Sequence, residues 1–188
     1  GVDSPLPSVN RTYKLEERCK VEQWEWWVAG LHLDVGWKRV FVYSDSYLGI
    51  INLTTGALIG KPRRLHESSI TCCLYVPSMQ ILLTGSSDAT ISTWSLDVGP
   101  FGTSSLRHAY TFTGHTKTVT ALALTRAGLL LSCSLDGTIR CHSLDTHQLM
   151  IRLDLGVPLH SVLVLSDCDA FLLRTGRSLQ LYKITTES

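Results

Sequence analysis

His115, Ser132 and Asp136 are the residue types of a hydrolytic triad: an imidazole base, a hydroxyl nucleophile and a carboxylate to orient the base. His66, Thr84 and Asp88 repeat the set upstream. In both sets the hydroxyl stands four residues before the carboxylate, and a ring follows the carboxylate by six, Trp94 in one and His142 in the other. Acyl transfer would also need an exposed nucleophile beside an oxyanion site, and the chain has no Gly-x-Ser-x-Gly elbow. The repetition argues further against catalysis. An enzyme needs one triad, whereas a repeated architecture needs one polar network per unit, because buried polar groups that satisfy one another fix strand register. A hydrolase stands as the weaker reading.

The residues that must position these groups are short apolar strands. From His115 to Leu144 the chain alternates through Val119–Thr125, turns at Arg126-Ala127-Gly128, continues through Leu129–Ser134, turns at Asp136-Gly137 and ends with Thr138–Leu144. His66 to Leu96 has the same parts in the same order. Three strands and two tight turns make an antiparallel meander, which cannot bury both faces by itself, so such a unit has to stack on its neighbours.

Paired histidines, hydroxyls, turn aspartates and rings in two such meanders resemble the WD40 repeat, a four-stranded propeller blade. The resemblance implies an all-β, WD40-type β-propeller of about four blades over residues 24–188, with repeats at about 24–65, 66–113, 114–155 and 156–188. It implies that His66, Thr84, Asp88 and Trp94, and likewise His115, Ser132, Asp136 and His142, form structural hydrogen-bond networks. Four blades are expected to be part of a seven- or eight-bladed ring, the rest supplied by the parent chain. A closed four-bladed ring, with residues 13–21 as its last outer strand, is the alternative. Residues 1–23 read equally well as a linker or as an outer strand.

The first repeat is eroded. Its strands are expected at Trp26–Leu33, Val40–Tyr43, Tyr47–Leu53 and Ala57–Ile59, with Asp45 at the turn, Phe41 in the hydroxyl position and Ile51-Asn52 for Trp-Asp. Trp24, Trp26 and Trp27 are expected to pack between blades, an exposed one pointing instead to a binding hot spot. In the second repeat, Asp97–Ser104 reads as an insertion before an outer strand at His108–Phe112; the third has its outer strand at Gln148–Leu153. The fourth, with strands near Ser161–Leu165, Ala170–Leu173 and Ser178–Ile184, carries Thr175-Gly176-Arg177 at the turn and Tyr182-Lys183 for Trp-Asp. His142 in place of Trp reads as a core histidine or as a titratable, pH-sensitive element.

Composition restricts the remaining classes. Hydrophobic residues are 44%, charged residues 18% and net charge +1, so charge offers no case for nucleic acid or acidic membranes. No apolar run reaches membrane-span length. The chain begins at Gly1 rather than Met, which suggests a processed, cloned or excerpted segment. The six cysteines form no Cys-x-x-Cys pair, and adjacent Cys72 and Cys73 must face opposite sides of a strand; a reducing compartment is expected, cytoplasmic, with cytoskeletal or ciliary assemblies included. Neither a metal nor a cofactor is expected, since the histidines are scattered and no Gly-rich loop precedes a Lys-Ser/Thr pair.

Lys61, Arg63, Arg64 and Lys117 are candidate partner-binding residues, on the face expected to carry the histidine loops and aspartate turns. The expected function is a non-catalytic protein–protein interaction scaffold within a larger intracellular assembly. A reader of acidic or modified peptides is the alternative.

Overall fold

A computed structural model describes residues 27–98, 104–165 and 170–183. Residues 1–23, Trp24, Trp26, Cys19, Cys168 and the middle of the expected 97–104 insertion lie outside these. The described residues form fifteen strands and no helix. Blade 1 comprises β1 Gly30–Asp34, β2 Arg39–Ser44, β3 Tyr47–Asn52 and β4 Arg63–Arg64. Blade 2 has β5 Ile70–Val76, β6 Ile81–Ser86, β7 Ile91–Val98 and β8 Ser104–Phe112. Blade 3 has β9 Val119–Leu124, β10 Leu129–Ser134, β11 Thr138–Ser143 and β12 Leu149–Asp154. Blade 4 shows β13 Leu159–Leu165, β14 Ala170–Thr175 and β15 Leu179–Lys183. Strands follow sequence order in each sheet and all pairings are antiparallel, so each blade is a meander.

The first strand of each blade packs against that of the next, β1 on β5, β5 on β9 and β9 on β13, which lines the four sheets around one axis. Alternation along a strand then serves two cores at once. Leu82 turns into the seam between blades 1 and 2 with Phe41, Tyr75 and Trp94, while its neighbour Leu83 turns into the next seam with Val119 and Leu130. Leu130 and Leu131 divide the same way between the second seam and the third, where Leu131 meets Leu159, Phe171 and Leu173. Cys73 and Cys72 lie in the first and second seams, the opposite orientations their adjacency requires. Each of these leucines, wholly removed from water, contributes about 1.5–3 kcal/mol, so the seams dominate the stability of the arc.

Several expectations change. The outer strand of blade 1 is β4, paired with Tyr47 and Leu48, and not Ala57–Ile59, where Leu58 makes only an isolated bridge to Ile51. The turn after β3 explains this: Asn52 Oδ1 accepts the Thr54 and Thr55 amides and turns the chain back at once, so Ala57–Ile59 lies along only the end of β3, the Ala57 carbonyl accepting from Asn52 N–H and Ile59 N–H donating to the Ile50 carbonyl. β1 starts at Gly30 rather than Trp26, and Trp27 is 85% exposed, so it is not seam packing. β7 and β8 extend into the stretch expected as an insertion, reaching Val98 and starting at Ser104. Phe41 does not stand in for Thr84. Only Asp45 and Ser46 separate the paired residues Ser44 and Tyr47, whereas the β6–β7 turn is longer, and Phe41 therefore faces blade 2.

Candidate functional site

Blade 2 holds its polar set between the loop before β5, the middle of β6, the β6–β7 turn and β7. His66 Nδ1 is 3.0 Å from Asp88 Oδ2, and its Nε2 is 2.8 Å from Thr84 Oγ1. Trp94 Nε1–H donates to Thr84 Oγ1 at 2.9 Å. The donors assign the protons. Asp88 can only accept, so His66 donates from Nδ1, and Thr84, already accepting from the indole, donates its own hydrogen to Nε2. Asp88 also accepts from Glu67 N–H (3.3 Å), Thr90 N–H (2.9 Å) and Thr90 Oγ1–H (2.6 Å). Burial alone would raise its pKa, but the Thr90 bonds and the adjacent His66 outweigh that and lower it.

Blade 3 repeats the geometry. His115 Nδ1 lies 3.0 Å from Asp136 Oδ2 and Nε2 lies 3.0 Å from Ser132 Oγ. Asp136 accepts from Thr116 N–H at 2.9 Å, Thr138 N–H at 2.8 Å and Thr138 Oγ1–H at 2.7 Å. Burial again opposes ionisation, and these bonds overcome it, holding the carboxyl well below its ordinary range. Burial lowers the pKa of His115 despite the raising influence of Asp136. Gly114 precedes it with φ +124°, a conformation suited to glycine, and a Cβ there would strike the Arg140 guanidinium. In blade 2 the equivalent position is the buried Leu65.

The fourth member differs. His142 occupies the place of Trp94, and each ladder to the outer strand shifts register at that ring, between Thr93 and Trp94 and between Cys141 and His142. His142 is buried against Phe112, ring centroids 4.9 Å apart, and its Nδ1 has no partner. Burial, reinforced by Arg140 and His115, pushes its pKa down to about 4.

Neither set is arranged for acyl transfer. Each hydroxyl is buried and committed to the imidazole, and Thr84 also holds the indole. Burial raises the Cys72 thiol to about 12 and Cys133 to about 11, the reverse of nucleophile activation. Among the described residues no three His, Cys, Asp or Glu side chains converge as a metal site, and no helix is long and apolar enough to cross a membrane.

Two stretches, residues 61–95 and 106–143, match the family model for the WD domain, G-beta repeat. They contain both polar sets. The chain belongs to the WD40-repeat β-propeller family. Its WD40 repeats are 31% identical over 109 residues to WD repeat-containing protein 1-B of Xenopus laevis, covering 55% of this chain and 17% of that protein. They are also 31% identical over 108 residues to human WD repeat-containing protein 97, covering 57% of this chain and 6% of the relative. The crystal structure of RRP9 WD40 repeats superposes with a TM-score of 0.72 at 20% identity, over 84% of this chain and 48% of that one. This WD40 chain thus spans less than a fifth of the length of those relatives and about half of a solved propeller.

The four candidate partner-binding cations do not meet in one place in this WD40 arc. Arg64 lines a cavity of about 490 Å³ with His66, Asp88, Thr90 and His108, and bonds Glu67 Oε2 at 3.3 Å. Lys61 and Arg63 line a separate crevice with Leu48, Ile59 and Leu106, where the Arg63 guanidinium donates to the Leu106 carbonyl. Lys117 is exposed in the loop after His115, and its carbonyl accepts from Ser134 Oγ.

A polar node absent from the sequence reading sits in the first seam. Arg39 Nε–H donates to Asp34 Oδ2 at 2.8 Å, a fully buried ion pair, while the guanidinium reaches Tyr75 Oη at 3.0 Å and lies over the Trp37, Phe41 and Tyr75 rings. His32 Nε2 accepts the Tyr75 amide at 3.1 Å. The legible signal was an Asp and an Arg flanking one turn, with the Arg between Trp37 and Phe41 at alternate positions.

Proposed function

We propose that the chain is a non-catalytic protein–protein interaction scaffold within a larger intracellular assembly, its four blades being part of a larger ring. One observation carries the reading: the His–hydroxyl–carboxylate set occurs in two adjacent blades with its polar atoms bonded inward, as structural networks are. WD40 propellers generally serve as rigid platforms for protein interaction, and seams packed on both sides of a blade suit that role. Support for an intracellular setting comes from Cys72 and Cys73, adjacent free thiols turned into opposite seams.

The working surface we assign is the loop face around His66 and His115, with Lys61, Arg63, Arg64 and Lys117 as its cations. Lys61 and Lys117 are the cleaner probes, because Arg63 also holds the Leu106 carbonyl. Cross-linked capture from cell extract is expected to retain a reproducible set of large proteins, joined through Lys61 or Lys117. Lys61→Glu with Lys117→Glu is expected to lose them. Retention of no protein by the wild type would end the scaffold reading.

A second reading has the open cavity beside His66 in its favour. Arg64 and His108 stand at its lining, a pairing suited to an acidic peptide segment. A reader would bind a short isolated acidic peptide and lose it on Arg64→Glu, whereas a scaffold requires folded partners.

A further inference from the structure

Near the start of β5 and of β9 the register shifts by one residue, and the extra residue is a threonine in both, Thr71 and Thr120. Each hydroxyl ties its blade to the next. Thr71 Oγ1–H donates to the Val119 carbonyl and Thr120 Oγ1–H to the Leu159 carbonyl, at 2.8 Å in the second case. Those acceptors are the first residues of β9 and β13. Blade 1 has the same bulge at Ala29, whose amide donates to the Tyr43 carbonyl at 2.9 Å while Gly30 is the residue paired with Tyr43. Ala29 has no hydroxyl, so it cannot make the equivalent bond to Ile70, the first residue of β5.

A cavity of about 820 Å³ opens there instead, and Trp27, Ala29, Ser44, Asp45, Ser69 and Ile70 line it. Asp45 is anchored across it onto blade 2. Its φ is +48°, its carbonyl accepts the Ile70 amide at 2.7 Å, and its Oδ1 accepts Ser69 Oγ–H at 2.8 Å. Oδ2 has no hydrogen-bond partner among the described residues. Trp27, 85% exposed, adds an indole face. Among the described residues no Lys or Arg lines the cavity. A fixed carboxylate, uncommitted oxygen acceptors and an indole together favour a cation.

We propose that this cavity receives the ammonium of a partner protein's lysine side chain, with Asp45 as its counter-charge and Trp27 as its π face. An ammonium has three hydrogens to donate, and the lining offers oxygens of three kinds: the Asp45 carboxylate, the Ser44 and Ser69 hydroxyls, and the Ile70 backbone. Blades 1 and 2 of this chain both border the cavity. His32 and Asp34 face blade 2, so a further blade of a ring would pack on the other side of β1, against the exposed Leu31 and Leu33, and would not enter the cavity between blades 1 and 2. The site is opposite in sign to the set of Lys61, Arg63, Arg64 and Lys117, and so selects a partner segment of the other charge. It needs only this chain and one cationic side chain, so its failure leaves the scaffold reading standing.

The test titrates Nα-acetyl-lysine methylamide into the 188-residue chain and follows it by NMR. The indole N–H resonance of Trp27, identified by its loss in Trp27→Phe, and the amide of Asp45 are expected to shift saturably, and the norleucine analogue, which lacks the charge, to leave both in place. Asp45→Asn keeps an oxygen for Ser69 and is expected to weaken binding about fivefold. Trp27→Ala, read at the Asp45 amide, is expected to weaken it about threefold. Ala29→Thr supplies the hydroxyl that blades 2 and 3 possess and is expected to abolish binding, with circular dichroism reporting an intact sheet. No saturable shift in the wild type, equal shifts with the norleucine analogue, or unchanged binding in Asp45→Asn or Ala29→Thr would each overturn the proposal.

Discussion

Blades 2 and 3 carry the same network with one ring exchanged, and the exchange separates what the network needs from what it tolerates. In blade 2 each polar hydrogen has an acceptor in turn: indole to Thr84, Thr84 to His66, His66 to Asp88. In blade 3 the imidazole keeps its 3.0 Å contact to the carboxylate without the indole and stands 3.0 Å from the hydroxyl against 2.8 Å in blade 2, while His142 Nδ1 and Arg140 Nε lie buried and unpartnered. The carboxylate end therefore assembles without the ring. What the ring contributes is seam packing and a donor that never titrates.

The largest expected effect is at the carboxylates. Asp136→Ala would strand four donors and is expected to cost about 4 kcal/mol. Asp88→Ala is expected to cost about 3 kcal/mol, less because the Asp88 side chain is 17% exposed against 5% for Asp136, so water can replace part of what is lost. Urea unfolding of both variants checks the order. A larger loss in blade 2 would mean that the indole, not burial, sets the strength of the network. Next comes Trp94→His, which gives blade 2 the ring of blade 3. It removes an indole from the first seam and leaves Thr84 without its donor, an expected loss of about 3 kcal/mol in the same measurement.

How much of this was legible follows from the same two blades. β9, β10 and β11 agree with the sequence reading to within a residue, because apolar alternation, the Gly114–His115 pair and Asp136-Gly137 all demand one local structure. The positions of both polar sets were readable because two copies exposed the spacing, but His142 takes the place of Trp94 with its Nδ1 unpartnered. Blade 1 was harder. Its outer strand is Arg63–Arg64, without apolar character and just after Pro62, so nothing in its composition marks a strand. Its short β2–β3 turn also changes which face Phe41 occupies, a shift of one residue that spacing from Asp45 cannot reveal. The Arg39–Asp34 pair was missed because its meaning depends on Tyr75 of another blade.

His142→Phe tests the weak point of blade 3 directly. It removes an unpartnered buried nitrogen and keeps a ring against Phe112, so a gain of about 1 kcal/mol is expected. It should also flatten the acid side of the stability profile. The folded-state pKa values of His142 and His115 lie below the unfolded value, so between about pH 6.5 and the folded value the unfolded chain binds more protons. Stability is thus fullest above about pH 6.5 and falls on acidification, for His142 until about pH 4. Urea midpoints at about pH 7.5 and about pH 5 should draw closer in His142→Phe and move apart in Trp94→His. An unchanged gap in the first variant would assign the acid sensitivity to other groups.

The smallest expected effect lies beside the networks and concerns their cations. Arg64 stands near His66 in an exposed pair with Glu67, both side chains more than half in water, where solvent and salt screen the attraction. Arg140 stands near His115 differently: its guanidinium caps the Gly114 carbonyl at 2.7 Å, its Nε is buried, and its charge depresses both His115 and His142. Arg64→Ala is accordingly expected to change stability by no more than about 0.5 kcal/mol and to leave the pH profile unmoved. Arg140→Met is expected to raise the titration of His142, read by NMR, although it takes away only one charge in the same manner. If Arg64→Ala instead shifted the His66 resonance or cost well over about 1 kcal/mol, the cation beside blade 2 would belong to its network as Arg140 does to that of blade 3.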